Sequence, residues 1–240
     1  MEIARFNDSA ITMNLCLRAA GIEYCIIGGF AMSQLSEDRE TKRIDCIANA
    51  SQRQIVDAVD AVDHGVGLTA TLPKNRDDYV DLQWTELDLD DKSDPVPIRV
   101  FCSIYATARA RPKTYLIRPT PRQVTGETCG SGTVNFHSPV DLFKASLAAA
   151  GDRCSYPDSL DLRLLLEEFD EDIKPQLDGI ALVHIGRAIR QYRHLEGLFV
   201  ELGVNVDKAK IAAMSFVPFR NPREDQDDVP RDLFEKLGGI

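Results

Sequence analysis

The sequence has no long apolar run, little aromatic content and no paired cysteine motif. No apolar stretch approaches the roughly 20 residues that a transmembrane helix requires, and the first residues do not have the pattern of a secretion signal. We therefore expect a cytoplasmic protein that has no membrane partner. The six cysteines are scattered, without a C-x-x-C pair or a histidine at metal-ligand spacing, which favours buried reduced thiols over disulfides or a metal site.

Positive charge is also scarce, since 28 lysines and arginines face 38 aspartates and glutamates, for a formal net charge of −10. Binding to nucleic acid or to an anionic membrane needs a cationic surface, so this balance argues against both as general partners. One stretch, residues 106–126, runs against the trend because its charged residues are all basic. It is either an irregular surface connection or a source of contacts to an anion, and its charged residues are Arg109, Arg111, Lys113, Arg118 and Arg122.

Hydrophobic periodicity in the first half of the chain predicts alternating helices and strands. Asp8 and Ser9 are expected to cap a helix that Gly21 ends, and Ser51 to cap an amphipathic helix. A short helix is predicted to begin at Phe30. The predicted strands cover residues 24–27, 43–48, 66–72, 79–84 and 98–102.

The second half of the chain has a helical pattern. Ser138 followed by Pro139 is a good helix start, and a second helix is expected from Asp158 or Ser159. Further helices are predicted over residues 179–202, with a break near Tyr192, and over 206–214. We therefore predict an α+β fold with a core at residues 1–135, a helical domain at 136–217 and a flexible tail at 218–240.

The most informative segment begins with a short apolar strand that runs into Gly28-Gly29. Glycines at a strand-to-helix turn allow a phosphate to approach backbone N–H groups. The next predicted strand carries Arg43, Ile44 and Asp45. Because side chains alternate along a strand, acids at the first and third of these positions would share one face and could hold Mg²⁺ with a third acid from a neighbouring strand.

In this order of motifs the chain resembles the nucleotidyltransferase superfamily, which shares the DNA polymerase beta-like core. The resemblance covers about residues 10–215 and includes Ser138–Lys144 and the segment Asp161-Leu162-Arg163. It implies a mixed sheet flanked by helices, followed by a helical C-terminal part. It also implies a ligand-binding cleft with Gly28, Gly29 and Phe30 at the turn. Lys144 and Arg153 match positions that face the phosphates of a nucleotide in the family, and the alternative is that they are surface charges or interact with a helix end.

The departures from the family pattern fall on the metal-binding acids. The first acid position is Arg43 and the third is Arg99, so that Asp45 alone remains, and Phe30 replaces the usual serine after the glycines. Two arginines would repel a divalent cation by several kcal/mol in a partly buried site. We therefore expect no metal or other cofactor, with Mg²⁺ entering only if the acids are misaligned.

Several functions are compatible with this altered site. Arg43, Asp45 and Arg99 could form an ion cluster that only fills an inactive cleft, with Asp45 between two guanidinium groups. The same arginines could bind a carboxylate, a phosphate or another small anionic ligand, including a nucleotide, or serve a metal-independent enzyme acting on an acidic small molecule. The last alternative is an active Mg²⁺-dependent nucleotidyltransferase with misaligned acids. Glu37, Asp38 and Glu40, which precede Arg43, either offer a substitute carboxylate or belong to a solvated loop.

Overall fold

The computed structural model describes residues 3–36, 39–62, 67–86, 94–103, 118–152 and 156–217. The chain divides into two compact units, Met1–Leu142 and Phe143–Ile240. The first contains a sheet with helices and the second is helical, which confirms the predicted α+β class. The predicted domain boundary at residue 135 and the flexible tail stay predictions, and the tail lies outside the described residues.

The first unit is built on a seven-stranded mixed sheet. Its strand order is β3-β4-β5-β2-β1-β7-β6, with parallel pairs β2/β5 and β1/β7 and antiparallel pairs elsewhere. The strands are β1 (Tyr24–Ile27), β2 (Ile44–Ala48), β3 (Leu68–Thr71), β4 (Tyr79–Trp84), β5 (Val96–Cys102), β6 (Thr120–Thr125) and β7 (Ser131–Phe136). The helices are α1 (Ile3–Ala19), α2 (Gly28–Ser33) and α3 (Gln52–Asp60), after which α4 (Pro139–Asp152) begins.

One face of this sheet forms the core against α1 and α3. Period-two alternation buries Val96, Ile98 and Val100 on β5, and helix α1 contacts β5, β6 and β7. The Tyr24 hydroxyl donates a 2.8 Å hydrogen bond to Asn14 Oδ1, which satisfies a polar group within this core. The opposite face of the central strands carries half-buried polar and aromatic side chains, and these form the site described below.

Helix α1 begins earlier than predicted, and Asp8 is not its N-cap. Phe6 and Asp8 are already buried within the helix. The Asp8 carboxylate instead accepts hydrogen bonds from the turn between β6 and β7, including 2.7 Å from the Cys129 N–H. The predicted end is confirmed, since Gly21 has φ 68° and the Ile22 N–H donates to the Leu17 carbonyl at 2.8 Å.

The hairpin formed by β6 and β7 was not predicted. The sequence pattern indicates an irregular connection through residues 106–126, whereas residues 120–125 form a strand that pairs with β7. Pro121 obscures the pattern because proline lacks the N–H that a central strand must donate. Strand β6 lies at the edge of the sheet, where one side has no partner strand and proline is tolerated.

The other predicted elements of this unit are largely confirmed, with shifts of a few residues at their ends. Strands β1 and β4 have their predicted bounds, β2 starts after Arg43, and the short helix α2 starts at Gly28 rather than Phe30. Ser51 caps α3 and forms a reciprocal capping box with Gln54. Of the strand predicted over 66–72, residues 68–71 are confirmed.

The second unit is formed by short helices. After α4 these are α5 (Tyr156–Glu168), α6 (Asp170–Ile173), α7 (Leu182–Gln191), α8 (Glu196–Glu201) and α9 (Val206–Ala212), with 3₁₀ turns at Lys174–Gly179 and Arg193–Leu195. The break at Tyr192 is confirmed, and Ser138 caps α4 through a 3.1 Å bond from the Asp141 N–H. Asp158 and Ser159 are buried inside α5, which begins before them. No helix among the described residues is long and apolar enough to cross a membrane.

Candidate functional site

The site is built around the turn between β1 and α2. Gly28 has φ 65°, a backbone conformation that favours glycine and lets the chain leave the strand sharply. A Cβ atom on Gly28 would lie 3.6 Å from Asp45 Oδ2, and one on Gly29 would lie 3.3 Å from Thr41 Oγ1. The turn therefore lies directly against a carboxylate and a hydroxyl group from the segment that enters β2.

Three charged residues form a row across the sheet beside this turn. Asp45 on β2 pairs with Ile27 on β1 and with Arg99 on β5, and Arg99 pairs in turn with Asp81 on β4. Side chains of directly paired residues point to the same face of a sheet. Asp45, Arg99 and Asp81 are all half-buried on the face opposite the core.

The ion pairs in this row differ from the arrangement expected from the sequence. Arg43 Nε donates to Asp45 Oδ1 at 2.8 Å, as the expected cluster requires. Arg99 does not bind Asp45; its Nε and Nη2 donate to the two oxygens of Asp81 at 2.8 and 3.2 Å. Asp45 therefore does not lie between two guanidinium forks, because the antiparallel β4–β5 pairing presents Asp81 to Arg99.

Asp81 is a site residue that the sequence analysis missed. The only signal for it is the alternation of β4, which places Asp81 and Tyr79 on the face opposite Val80. The Arg99 guanidinium carbon lies 4.3 Å from the centre of the Tyr79 ring, within range of a cation–π interaction. The hydrogen bond to Asp81 raises the pKa of Arg99, and the charge of Asp45 adds to this effect.

Together with Arg43, the row contains two ion pairs and has no net charge. The sequence suggests a site whose charge has changed from negative to positive, but Asp81 neutralises Arg99 just as Asp45 neutralises Arg43. Within the part of the chain that the structure describes, no group of three or more His, Cys, Asp or Glu side chains is arranged to hold a metal ion.

Both members of the Arg43–Asp45 pair keep further hydrogen-bonding groups. The Arg43 side chain is 47% exposed, and among the described residues only its Nε has an acceptor. Asp45 Oδ2 likewise receives no hydrogen bond from any described residue. Arg39 also lies at the turn, with its Nη2 3.7 Å from the position of a Gly29 Cβ. Thr41 Oγ1, which is near the same position, donates to the Arg43 carbonyl at 2.8 Å.

Phe30 does not line this site. Its side chain is fully buried, and its ring centre lies 5.7 Å from that of Phe6 and 5.9 Å from that of Phe136. Ligand binding by Phe30 stays a prediction, and with the side chain buried it would involve the backbone. Phenylalanine stands at this position because the first turn of α2 packs into the aromatic core.

One basic side chain of the stretch contributes to the fold through a hydrogen bond. Arg122 on β6 donates to the Gln34 carbonyl at 2.8 Å, at the C-terminal end of α2, where a cation also interacts favourably with the helix dipole. Arg118 is exposed. Of the other predicted anion contacts in this stretch, Arg109, Arg111 and Lys113 lie outside the described residues.

The remaining candidate residues are placed only in part. Lys144 is exposed on α4 in the second unit, and its contact with a phosphate stays a prediction. Arg153 lies outside the described residues, as do Glu37 and Asp38. Glu40 is exposed in the loop before β2.

His137 is a second residue whose position the sequence analysis did not anticipate. Its backbone N–H donates to the Ile26 carbonyl at 3.0 Å, and the preceding residue, Phe136, pairs with Ile26. His137 therefore lies beside Ile27, the partner of Asp45, and on the same face of the sheet as Asp45. The residue is 6% exposed, and its ring nitrogens have no hydrogen-bond partner among the described residues. Burial lowers the pKa of His137, and the nearby Asp141 charge offsets part of that effect.

Comparison with solved structures identifies the fold. The chain is similar to an antigenic nucleotidyltransferase-like protein from Paracoccidioides brasiliensis, with a TM-score of 0.54 and 15% identity over 81% of this chain and 92% of that one. It also matches JHP933 from Helicobacter pylori, with a TM-score of 0.45 and 16% identity over 89% and 91% of the two chains. No protein-family model and no curated protein matches the sequence. The first similarity shows that the fold is nucleotidyltransferase-like.

Proposed function

We propose that this nucleotidyltransferase-like chain binds a small anionic molecule or a nucleotide beside Gly28 and Gly29, without two-metal nucleotidyl transfer. The observation that carries the proposal is the pairing of the remaining carboxylates. Asp45 and Asp81, the acids in the row where a metal would be held, are bound to Arg43 and Arg99. The degenerate metal site predicted from the sequence is the premise of this proposal.

Electrostatics disfavours a divalent cation at this row. Arg99 holds both oxygens of Asp81, and Arg43 holds Oδ1 of Asp45, so a metal ion could bind Asp45 only through Oδ2 while both guanidinium groups stay nearby. Two unit charges about 4 Å apart interact by roughly 4 kcal/mol at an effective dielectric constant of 20, so each arginine opposes the metal by a comparable amount. Two-metal catalysis needs several carboxylates free to bind the ions.

The same groups favour an anion at the exposed edge of Arg43. A guanidinium group presents paired N–H donors that match the oxygens of a carboxylate or phosphate. The terminal nitrogens of Arg43 have no acceptor among the described residues, and the Arg39 guanidinium group lies near Gly29. A metal-independent enzyme acting on an acidic small molecule would use the same contacts to stabilise developing negative charge.

Inorganic phosphate should stabilise the protein through Arg43. At about ten times its dissociation constant, phosphate should add about 1.4 kcal/mol of stability and raise the Tm by roughly 3–6 °C. We expect Arg43→Ala to remove most of this shift in differential scanning fluorimetry at constant ionic strength. The matched control is Arg53→Ala, because the Arg53 side chain is 90% exposed on α3, away from the turn. A Tm increase that requires Mg²⁺ together with ATP and survives Arg43→Ala would contradict the proposal.

Restoring acids at both arginine positions should create a metal site. Arg43→Asp combined with Arg99→Glu would surround Asp45 with carboxylates and release Asp81 from its ion pair. We expect Mn²⁺ to bind this variant at least about tenfold more tightly than the unmodified chain, because repulsion becomes attraction at both positions. Electron paramagnetic resonance of free Mn²⁺ measures the difference. The double alanine variant at the same positions is the control, and equal Mn²⁺ binding by all three proteins would count against the assignment of a degenerate metal site.

A further inference from the structure

We infer that the ligand is a zwitterion, with a protonated amine close to its phosphate or carboxylate group. The inference rests on the proposed function and specifies the chemical class of the ligand. It comes from the Arg43–Asp45 pair at the turn. The guanidinium group and the carboxylate each have hydrogen-bonding atoms that no described residue contacts. A ligand that carries both charges would bind the guanidinium group through its anion and the carboxylate through its amine.

The hydrogen bond within the pair shows which atoms of each side chain remain for a ligand. Arg43 uses Nε to bind Asp45 Oδ1 at 2.8 Å, which leaves its terminal nitrogens for an anionic group. Asp45 Oδ2 accepts no hydrogen bond from the described residues, although the side chain is only 20% exposed. A half-buried carboxylate oxygen is stabilised by a charged donor, and a ligand ammonium group is such a donor.

Arg99 does not donate a hydrogen bond to Asp45 Oδ2. Both of its hydrogen bonds to a side chain go to Asp81, and its guanidinium plane lies over the Tyr79 ring. These contacts hold Arg99 away from a direct bond with Asp45, although the two residues are paired across the strands. Among the described residues, Asp45 is therefore hydrogen-bonded through one oxygen by Arg43, and Arg99 acts on it only through its charge.

Gly28 leaves the second oxygen of Asp45 accessible at the turn. A Cβ atom at this position would lie 3.6 Å from Oδ2, in van der Waals contact with it. Without this atom, a ligand can approach Oδ2 from the side of the glycine turn. An anion without an amine would instead place its negative charge near Asp45 and be repelled.

Three probes that differ by one charged group test this inference. Phosphoethanolamine carries both the phosphate and the ammonium group, ethyl phosphate carries the anion alone, and ethanolamine carries the cation alone. Their dissociation constants can be measured by titration of backbone amide signals in nuclear magnetic resonance spectra of the full chain. We expect phosphoethanolamine to bind about tenfold more tightly than ethyl phosphate, since one charged hydrogen bond is added.

Asp45→Asn tests whether Asp45 supplies this preference. Asparagine keeps an oxygen that can accept from Arg43 Nε, while it removes the charge that would bind an ammonium group. The variant should bind ethyl phosphate at least as tightly as the unmodified chain and lose the preference for phosphoethanolamine. Asp57→Asn on α3, where the side chain is 67% exposed, should leave both affinities unchanged.

The outcomes separate this inference from the proposed function. Equal affinities of the unmodified chain for phosphoethanolamine and ethyl phosphate would overturn the inference that the ligand is a zwitterion. Anion binding, the proposed function, would still stand. A preference that persists in Asp45→Asn would also overturn it, because the amine would then bind elsewhere. If neither phosphate compound binds, the proposed function fails and the inference fails with it.

Discussion

Replacing Asp8 by alanine is expected to lower the free energy of unfolding by roughly 3–5 kcal/mol, because several buried donors lose their acceptor at once. Asp8 is fully buried in α1, and its carboxylate joins the helix to the turn of the β6–β7 hairpin. It accepts hydrogen bonds from the N–H groups of Glu127, Thr128 and Cys129 at 2.9, 3.1 and 2.7 Å and from the Thr128 hydroxyl at 3.0 Å. Alanine leaves all four donors without this acceptor, and urea denaturation measures the loss.

The effect of Asp8 should also depend on pH. Burial by itself would raise the pKa of Asp8, but the backbone hydrogen bonds from Cys129, Thr128 and Glu127 outweigh it and lower the pKa. A lowered carboxylate pKa stabilises the fold above the unfolded value of about 3.9, and this contribution is lost as pH falls through the folded pKa. The stability difference between the unmodified chain and Asp8→Ala should therefore be constant near neutral pH and shrink below about pH 4.

Asp60→Ala is the matched control for Asp8. Asp60 is an exposed aspartate at the end of α3, and its replacement should change stability by no more than about 0.5 kcal/mol. Asp8→Asn should lower stability by more than Asp60→Ala and by less than Asp8→Ala. The amide keeps one acceptor oxygen but introduces donors that face the N–H groups of the turn. An Asp8→Ala loss of under about 1 kcal/mol would mean that the carboxylate does not hold the hairpin turn.

Gly186→Ala should destabilise the second unit by about 2–3 kcal/mol. A Cβ atom on Gly186 would lie 1.9 Å from the Ala209 carbonyl oxygen and 2.9 Å from the Ala213 Cβ. Helices α7 and α9 therefore approach each other at a point where any side chain forces the backbones apart. The steric cost exceeds the gain of about 1 kcal/mol that alanine brings to a helix interior.

The same substitution at Gly197 should instead stabilise the protein. Gly197 lies in α8, and a Cβ atom there would have no neighbour within 4 Å. Alanine should then stabilise by about 0.5–1 kcal/mol through its helix propensity alone. Thermal unfolding of the two variants gives the comparison, and a stabilising Gly186→Ala would show that α7 and α9 are not packed as closely as described.

Much of the site could be predicted because it depends on local patterns. The Gly28-Gly29 turn follows a short apolar strand, and the two-residue spacing of Arg43 and Asp45 at the start of β2 brings their side chains together. Such features arise from neighbours within a few residues along the chain. They were sufficient to indicate the fold and the position of the site.

The partners of the charged residues could not be predicted in the same way. Arg99 and Asp81 are 18 residues apart in sequence, and their contact depends on the register of β4 against β5. A shift of that register by one residue would turn Asp81 to the core face. Many acidic residues in this chain could serve as partners for an arginine, so composition does not select among them.

The sequence by itself determined the strands that alternate, the glycine turn and the presence of arginines where the resemblance leads one to expect acids. The tertiary structure alone decided that Asp81 neutralises Arg99, that Phe30 belongs to the core and that Asp8 holds a distant hairpin turn. The physical reason is that helix and strand periodicity depends on adjacent residues. Ion pairing and burial depend on which distant segments the sheet brings together.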